Sequence, residues 1–176
     1  MNLPNKLSLT RMALIPVMVV LLLPGVLWWN LAAAAVYGAA AFTDFLDGHI
    51  ARKQGIVTDL GKFLDPVADK LLNLSALIML SAQGLCPVWL VVLILARELC
   101  VDGLRMVASG KGQVIAAGKL GKIKTVSQIV LILWLMIFRL PVSAFWLSTL
   151  CALWVAAITL WSGADYLVKG KQFLKE

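Results

Sequence analysis

The sequence predicts an all-α integral membrane bundle of six transmembrane helices with a short N-terminal interfacial segment. Hydrophobic residues make up 61% of the 176 residues and charged residues only 14%, which is outside the range of soluble domains. Apolar runs recur at the length that crosses a bilayer. Basic residues collect beyond the ends of alternate runs, as they do in multi-pass proteins. We therefore expect residues 1–176 to form a single membrane domain.

The helices are predicted in chain order from these runs. Residues 1–11, MNLPNKLSLTR, are polar enough to lie at the membrane surface as a short entry segment. The spans are then expected at residues 12–29, 31–52, 64–83, 87–108, 123–138 and 144–168. Pro16 and Pro24 fall inside the first span, where neighbouring helices can satisfy the freed carbonyl groups.

The orientation follows from the basic residues. The termini and the links after spans 2 and 4 carry most of them: Lys6, Arg11, Arg52, Lys53, Lys62, Lys70, Arg105, Lys111, Lys119, Lys122, Lys124, Lys169, Lys171 and Lys175. The other links carry only Arg139, so both termini are predicted to be cytoplasmic. Trp28, Trp29, Trp89 and Trp146 mark the opposite interface. The net charge of +7 does not indicate nucleic acid, because no basic patch forms on a soluble domain. Membrane lipids are the expected partner.

Five of the nine acidic residues lie between positions 44 and 69. Asp44 and Asp47 are three residues apart on span 2, and Asp65 and Asp69 are four apart on span 3, so each pair shares a helix face. Counted from the outer ends of their spans, Asp44 and Asp69 both lie roughly 20 Å deep. These four carboxylates are therefore predicted to be level, within the membrane profile. Asp59 lies off both faces and is better explained by a surface ion pair.

Four carboxylates at membrane depth repel one another unless a counter-charge is present. Hard oxygen ligands suit Mg²⁺ or Mn²⁺, and their number is sufficient for two ions. Small residues beside them, Gly48, Ala51 and Gly61, leave room for a bulky phosphorylated group. Arg52 adds a fixed cation. Together these residues indicate a site for a diphosphate.

These residues spell D-x-x-D-G-x-x-A-R followed by G-x-x-x-D-x-x-x-D, which resembles the signature of the CDP-alcohol phosphatidyltransferases at every position. The resemblance implies a six-helix fold over the whole chain and transfer of a phosphatidyl group from CDP-diacylglycerol to an alcohol, with release of CMP. It implies that Asp44, Asp47, Asp65 and Asp69 bind the metals and that Asp69 is the general base. Gly48, Ala51, Arg52 and Gly61 would bind CDP-diacylglycerol. A homodimer in the bacterial inner membrane, with its active site open to the cytoplasm, is also implied.

Further motifs are similar to family members whose acceptor is glycerol 3-phosphate. They are P-N-x-L-S-x-x-R from Pro4 to Arg11, with Ser8 where threonine is usual, D-P-V-A-D-K, Ala96-Arg97-Glu98 and Gly121-Lys122-Ile123-Lys124-Thr125. The candidate ligands for the acceptor phosphate are Arg97, Arg105, Lys119, Lys122 and Lys124. Arg97 could instead be the buried partner of Glu98, and the lysines could face anionic lipid. Glu98 and Asp102 are expected to be structural, with Arg105 offsetting their charge.

Several alternatives remain at this point. The same scaffold could use another acceptor, such as phosphatidylglycerol, inositol phosphate or serine. A membrane prenyltransferase also uses Asp-rich pairs with Mg²⁺, although its acidic motifs are widely separated in sequence. A divalent-cation transporter would also carry intramembrane carboxylates, but the acidic rows here stop well short of the outer face.

Overall fold

A computed structural model describes the backbone of residues 3–54, 59–110 and 118–174, and the side chains of residues 9–43, 66–110 and 118–171. These ranges contain helices α1 (Leu3–Leu22), α2 (Leu27–Gln54), α3 (Asp59–Ala82), α4 (Val88–Gly110), α5 (Lys119–Phe138) and α6 (Trp146–Leu174). No strand occurs in them. The predicted all-α class and the count of six helices are confirmed for this part of the chain.

The predicted end of the first span, at Trp29, is wrong, and the predicted separate interfacial segment is part of the same helix. α1 begins at Leu3 and continues without a break through the segment expected to lie separately at the interface. It ends at Leu22, and three residues later Gly25 adopts a left-handed backbone conformation with φ of 62°. Pro24 supplies no N–H and disfavours helix in the residue before it. The Pro24-Gly25 pair therefore forms a turn, and Trp28 and Trp29 belong to α2.

The other helices extend beyond their predicted apolar runs at the end that holds the acidic residues. α3 begins five residues before the predicted span and α5 begins four residues before it. Hydropathy marks only the apolar part of a helix, whereas the hydrogen-bonded backbone continues through polar turns. The site residues are therefore carried on helices and not on loops.

The helices form two layers that meet at the centre of the molecule. α1 packs against α2 and α3, and α6 packs against α4 and α5, while α3 contacts both α4 and α5 and α2 contacts α5. Met18, Tyr37, Leu77, Ile94 and Leu135 are fully buried between them. The outer surface is also apolar: Val20, Val92, Val126 and Leu160 are each more than half exposed. Within the described residues, Lys119–Phe138 and Trp146–Lys171 are long and apolar enough to cross a membrane.

Polar side chains tie the turns together at one end of the bundle, the end where α2, α4 and α6 begin. Asn30 Nδ2 donates to Gln83 Oε1 at 2.8 Å, and Gln83 Nε2 donates to the Leu22 carbonyl at 2.6 Å. Arg139 donates to the Gly25 carbonyl. We refer to this end as the tied end. The candidate site lies toward the opposite end.

Candidate active site

A hydrogen bond fixes the register between the two helices that carry the acidic motif. The Tyr37 hydroxyl on α2 donates to Asn73 Oδ1 on α3 at 2.5 Å. From this level, Asp44 is seven residues further along α2, and Asp65 is eight residues back along α3. At 1.5 Å per residue these steps are about 10 and 12 Å. The backbones of Asp44 and Asp65 therefore lie at similar heights.

Most of the predicted metal and nucleotide residues have side chains outside the described residues. They are Asp44, Asp47, Gly48, Ala51, Arg52, Gly61 and Asp65. Their backbones belong to α2 and α3. Among the side chains that the structure does describe, no group of three or more histidine, cysteine or acidic residues could hold a metal ion. The metal-ligand assignment stays a prediction.

Asp69 is the one residue of the acidic motif whose side chain is described. It lies on α3 and lines a small polar cavity, of about 20 Å³, together with Lys70, Asn73, Glu98, Lys124 and Gln128. α3, α4 and α5 each contribute to this cavity. Asn73 Nδ2 donates to Asp69 Oδ1 at 3.1 Å and to the Asp69 carbonyl at 2.9 Å. The predicted general base thus meets one predicted acceptor ligand, Lys124, in one cavity.

Glu98 lines the cavity and forms ion pairs with two cations. The Lys124 ammonium donates to Glu98 Oε1, and Arg97 Nη1 lies 3.2 Å from the same oxygen. Lys124 is only 4% exposed, so this carboxylate offsets the desolvation of its charge. Arg97 is therefore a partner of Glu98, which was one of its two predicted roles.

Asp102 pairs with Lys70 of α3. The expectation that Arg105 offsets Glu98 and Asp102 is wrong. Cations from neighbouring helices do so instead, because these carboxylates point toward α3 and α5.

The two arginines of α4 meet at Tyr166 of α6. The guanidinium carbons of Arg97 and Arg105 lie 5.4 and 5.2 Å from the centre of the Tyr166 ring, within the range of cation–π attraction. Arg105 Nη2 donates to the Tyr166 hydroxyl at 2.8 Å, and Arg97 Nη2 donates to Ser162 Oγ at 2.6 Å. The Gly118 amide also donates to the Tyr166 hydroxyl, at 3.2 Å. This arginine–tyrosine cluster joins α4, α6 and the start of α5.

The remaining acceptor candidates, Lys119 and Lys122, lie in the first turn of α5 and are exposed. The structure does not bring them into the cavity that Asp69 lines. They are on the same helix as Lys124 and nearer its N-terminal end. Of the five acceptor candidates, only Lys124 lines the cavity.

Sequence reasoning did not assign roles to Tyr37, Asn73, Gln128 and Tyr166. Asn73, Gln128 and Tyr166 are at most 7% exposed, and Tyr37 is fully buried. A polar residue inside an apolar run is the signal that could have found them, because burial of such groups is unfavourable without a partner. Asn73 also follows Asp69 by four residues on the same helix face.

Known proteins resemble this chain along nearly its whole length. The family described as CDP-alcohol phosphatidyltransferase matches residues 1–161. The CDP-diacylglycerol–glycerol-3-phosphate 3-phosphatidyltransferase of Bacillus subtilis is 44% identical over 189 aligned positions, covering 99% of this chain and 97% of the relative. A probable phosphatidylglycerophosphate synthase of Mycobacterium tuberculosis is 41% identical, covering 96% of this chain and 81% of the relative.

A third relative extends the match to another bacterial group. The CDP-diacylglycerol–glycerol-3-phosphate 3-phosphatidyltransferase of Escherichia coli K12 is 36% identical over 172 positions, covering 94% of this chain and 93% of the relative. Three observations support the same family. They are the family match, the complete acidic signature, and the six-helix fold that carries this signature on α2 and α3. The chain belongs to the CDP-alcohol phosphatidyltransferase family.

Proposed function

We propose that this protein transfers the phosphatidyl group of CDP-diacylglycerol to glycerol 3-phosphate, giving phosphatidylglycerophosphate and CMP for phospholipid biosynthesis. The observation that carries the proposal is the near-complete match to relatives named for this reaction, at up to 44% identity with 97% of the relative covered. The cavity adds support, because it brings a carboxylate, Asp69, next to a buried cation, Lys124.

The six helices cross the bacterial inner membrane, with both termini and the active site at the cytoplasmic side. The apolar outer surface supports this arrangement, since a helix that is apolar all round must be surrounded by protein or lipid. Trp28, Trp89 and Trp146 are each more than half exposed near the starts of α2, α4 and α6, as expected of an aromatic belt at the tied end. The basic residues concentrate toward the other end. A homodimer is proposed from family membership alone.

Asp44, Asp47, Asp65 and Asp69 would hold two divalent cations, Mg²⁺ or Mn²⁺. The carboxylate donor set fits hard cations, and the α2–α3 register supports it, because the hydrogen bond between Tyr37 and Asn73 brings the backbones of Asp44 and Asp65 to similar heights. When bound, the cations would supply positive charge that neutralises the diphosphate and stabilises the departing CMP. Gly48, Ala51, Arg52 and Gly61 complete the CDP-diacylglycerol site.

Asp69 accepts the proton of the acceptor hydroxyl while the oxygen of that hydroxyl attacks the phosphorus of the phosphatidyl group. The phosphorus–oxygen bond to CMP breaks, and CMP leaves with the bonding electrons. The position of Asp69 at the edge of a polar cavity supports this role, because a general base must be within hydrogen-bond reach of its substrate.

The phosphate of the acceptor is bound by Lys124, and Arg97, Arg105, Lys119 and Lys122 are the other candidate ligands. Lys124 has the strongest support, since it lines the same cavity as Asp69. For Arg97, the buried Nε has no hydrogen-bond partner among the described residues, and an unsatisfied guanidinium donor favours an anion. Arg105, Lys119 and Lys122 are proposed from their positive charge and from their location on α4 and α5.

An acceptor screen tests the proposal. Purified protein in detergent micelles is given CDP-diacylglycerol, Mg²⁺ and one of glycerol 3-phosphate, phosphatidylglycerol, inositol phosphate or serine, and CMP is measured. We expect rapid release with glycerol 3-phosphate and background release with the others. Faster release with any other acceptor would replace glycerol 3-phosphate in the proposal. Absence of release with all four would overturn it.

A further inference from the structure

We infer that Asn73 and Tyr37 are positioning residues that hold the Asp69 carboxylate in its reactive orientation; this inference rests on the proposed function. Neither residue belongs to the acidic signature. They form a chain of hydrogen bonds from the middle of α2, through α3, to the general base. The chain reaches Asp69 from the buried side, opposite the end where the cytoplasmic substrates enter.

The first link runs from Asn73 to Asp69. The Asn73 amide nitrogen donates to Asp69 Oδ1 at 3.1 Å and to the Asp69 carbonyl at 2.9 Å. One nitrogen thus bridges the backbone and the side chain of the same residue, which restricts rotation of the carboxylate about its side-chain bonds. The oxygen that accepts this bond is held, which limits the orientations of the carboxylate at the cavity that Asp69 lines.

The second link runs from Tyr37 to Asn73. The Tyr37 hydroxyl donates to Asn73 Oδ1 at 2.5 Å, and Tyr37 is fully buried. A side-chain amide can turn over and exchange its oxygen and nitrogen. The two acceptors of Asp69 require the amide nitrogen on their side, and the bond that the Tyr37 hydroxyl donates to the oxygen stabilises the same orientation. Tyr37 therefore supports the amide orientation that donates to the base.

Packing alone does not require this arrangement. Tyr37 belongs to a buried cluster that is otherwise apolar and includes Met18, Leu72 and Leu77, and an apolar pair in place of Tyr37 and Asn73 could fill the space without unsatisfied polar groups. A chain of hydrogen bonds that ends on the predicted base can orient the Asp69 carboxylate, whereas an apolar pair cannot. Supporting partners of this kind typically change activity by about 10–100-fold when removed.

The test compares Asn73→Ala, Tyr37→Phe and the double variant with the wild type in the CMP-release assay. Asn73→Ala is expected to lower kcat by about 10–100-fold, with KM for CDP-diacylglycerol within about threefold, because the three other proposed metal ligands are unchanged and proton transfer uses this orientation in the transition state. Tyr37→Phe is expected to lower kcat by a smaller factor. Since Tyr37 acts through Asn73, the double variant should be no slower than Asn73→Ala.

Asn30→Ala is the matched control. Asn30 is also a buried asparagine, hydrogen-bonded from α2 to Gln83 just after the end of α3, but it lies at the tied end. It should lose thermal stability in detergent without losing kcat. An Asn73→Ala variant that keeps wild-type kcat, or losses that simply multiply in the double variant, would overturn the inference alone. Absence of CMP release by the wild type would overturn the proposed function and this inference with it.

Discussion

At the scale of single residues, the cavity between α3, α4 and α5 combines opposite charges at short range. Asp69 and Glu98 contribute carboxylates, and Lys70 and Lys124 contribute ammonium groups. Glu98 binds Lys124 and Arg97, and Asp69 accepts a hydrogen bond from the Asn73 amide. Glu98 therefore holds Lys124 at the cavity, and proton transfer is the role proposed for Asp69.

Replacement of Asp69 by asparagine should remove the base while preserving the shape of the side chain. We expect kcat to fall by about 10²–10⁴-fold and binding of CDP-diacylglycerol to change little, since three other carboxylates still bind metal. Turnover and equilibrium binding of labelled CDP-diacylglycerol provide the measurement. Asp165→Asn is the control, because Asp165 pairs only with Lys169 on the same helix. Parallel losses of binding and turnover in Asp69→Asn would contradict the general-base role.

Removal of the Glu98 carboxylate should destabilise the fold. Glu98→Ala removes the carboxylate that is hydrogen-bonded to the buried Lys124 ammonium, and breaking a buried ion pair typically costs about 3–5 kcal/mol. The thermal midpoint in detergent should fall clearly and should recover largely when Lys124→Met is added. Asp165→Ala breaks an exposed pair and should change stability by about 0.5 kcal/mol or less. Equal shifts in Glu98→Ala and Asp165→Ala would refute the importance of this buried pair.

Residue spacing predicted part of this site and not the rest. Asp65 and Asp69 were assigned to one helix face because helical periodicity is local. The partners of Glu98 and Asp102 were not found, since Lys124 is 26 residues and Lys70 is 32 residues away in sequence. Such pairs depend on how α3, α4 and α5 pack, which local periodicity does not determine.

At the scale of helices, α4 and α6 pack closely in parallel. A Cβ added to Gly163 would lie 3.2 Å from Arg97 Cγ, and one added to Gly170 would lie 3.2 Å from Leu104 Cδ2. From the first pair to the second, the contact moves seven residues along α6 and seven residues along α4, which is about two turns of each helix. The same face of each helix is therefore used at both contacts. The small residues let α6 approach α4, and this approach brings Tyr166 between the two arginines.

Enlarging Gly170 should separate these helices. Gly170→Leu overfills the contact with Leu104, which typically costs about 1–3 kcal/mol, and should lower the thermal midpoint in detergent. Gly103→Ala on α4 is the control, because its added Cβ meets nothing within 4 Å. That variant should be unchanged or slightly stabilised by better helix propensity. A Gly170→Leu protein as stable as the wild type would show that the close approach is not needed.

Hydropathy predicted the number of helices but not all of their ends. Residues 12–29 form one continuous apolar run, yet the chain turns within it at Pro24 and Gly25. The average over a window does not distinguish an apolar helix from an apolar turn. Backbone chemistry gives the stronger signal here, since a proline followed by a glycine with positive φ ends a helix whatever its hydropathy.

At the scale of the whole molecule, polarity differs between the two ends of the bundle. The tied end carries exposed tryptophans and the hydrogen bonds that join three turns. The opposite end carries Arg105, Lys119, Lys122 and Lys171, all exposed. This asymmetry supports the proposed orientation, in which the site cavity lies toward the cytoplasmic side.

Thiol labelling in intact cells tests this orientation. In a background with the three cysteines replaced, Ser143→Cys lies in the exposed turn before α6, and Lys171→Cys lies near the end of α6. A membrane-impermeant maleimide should label Ser143→Cys in intact cells and Lys171→Cys only after permeabilisation. Labelling of both positions from the same side would contradict a membrane-spanning α6 and the cytoplasmic location of the C-terminus.

The most direct test of the whole account is transfer of label from radioactive glycerol 3-phosphate into lipid by the purified wild-type protein. With CDP-diacylglycerol and Mg²⁺ present, we predict that labelled phosphatidylglycerophosphate and CMP appear in equal amounts, and that chelation of the divalent cation stops both. CMP release without labelled lipid, or no release of either product, would contradict phosphatidyl transfer to glycerol 3-phosphate.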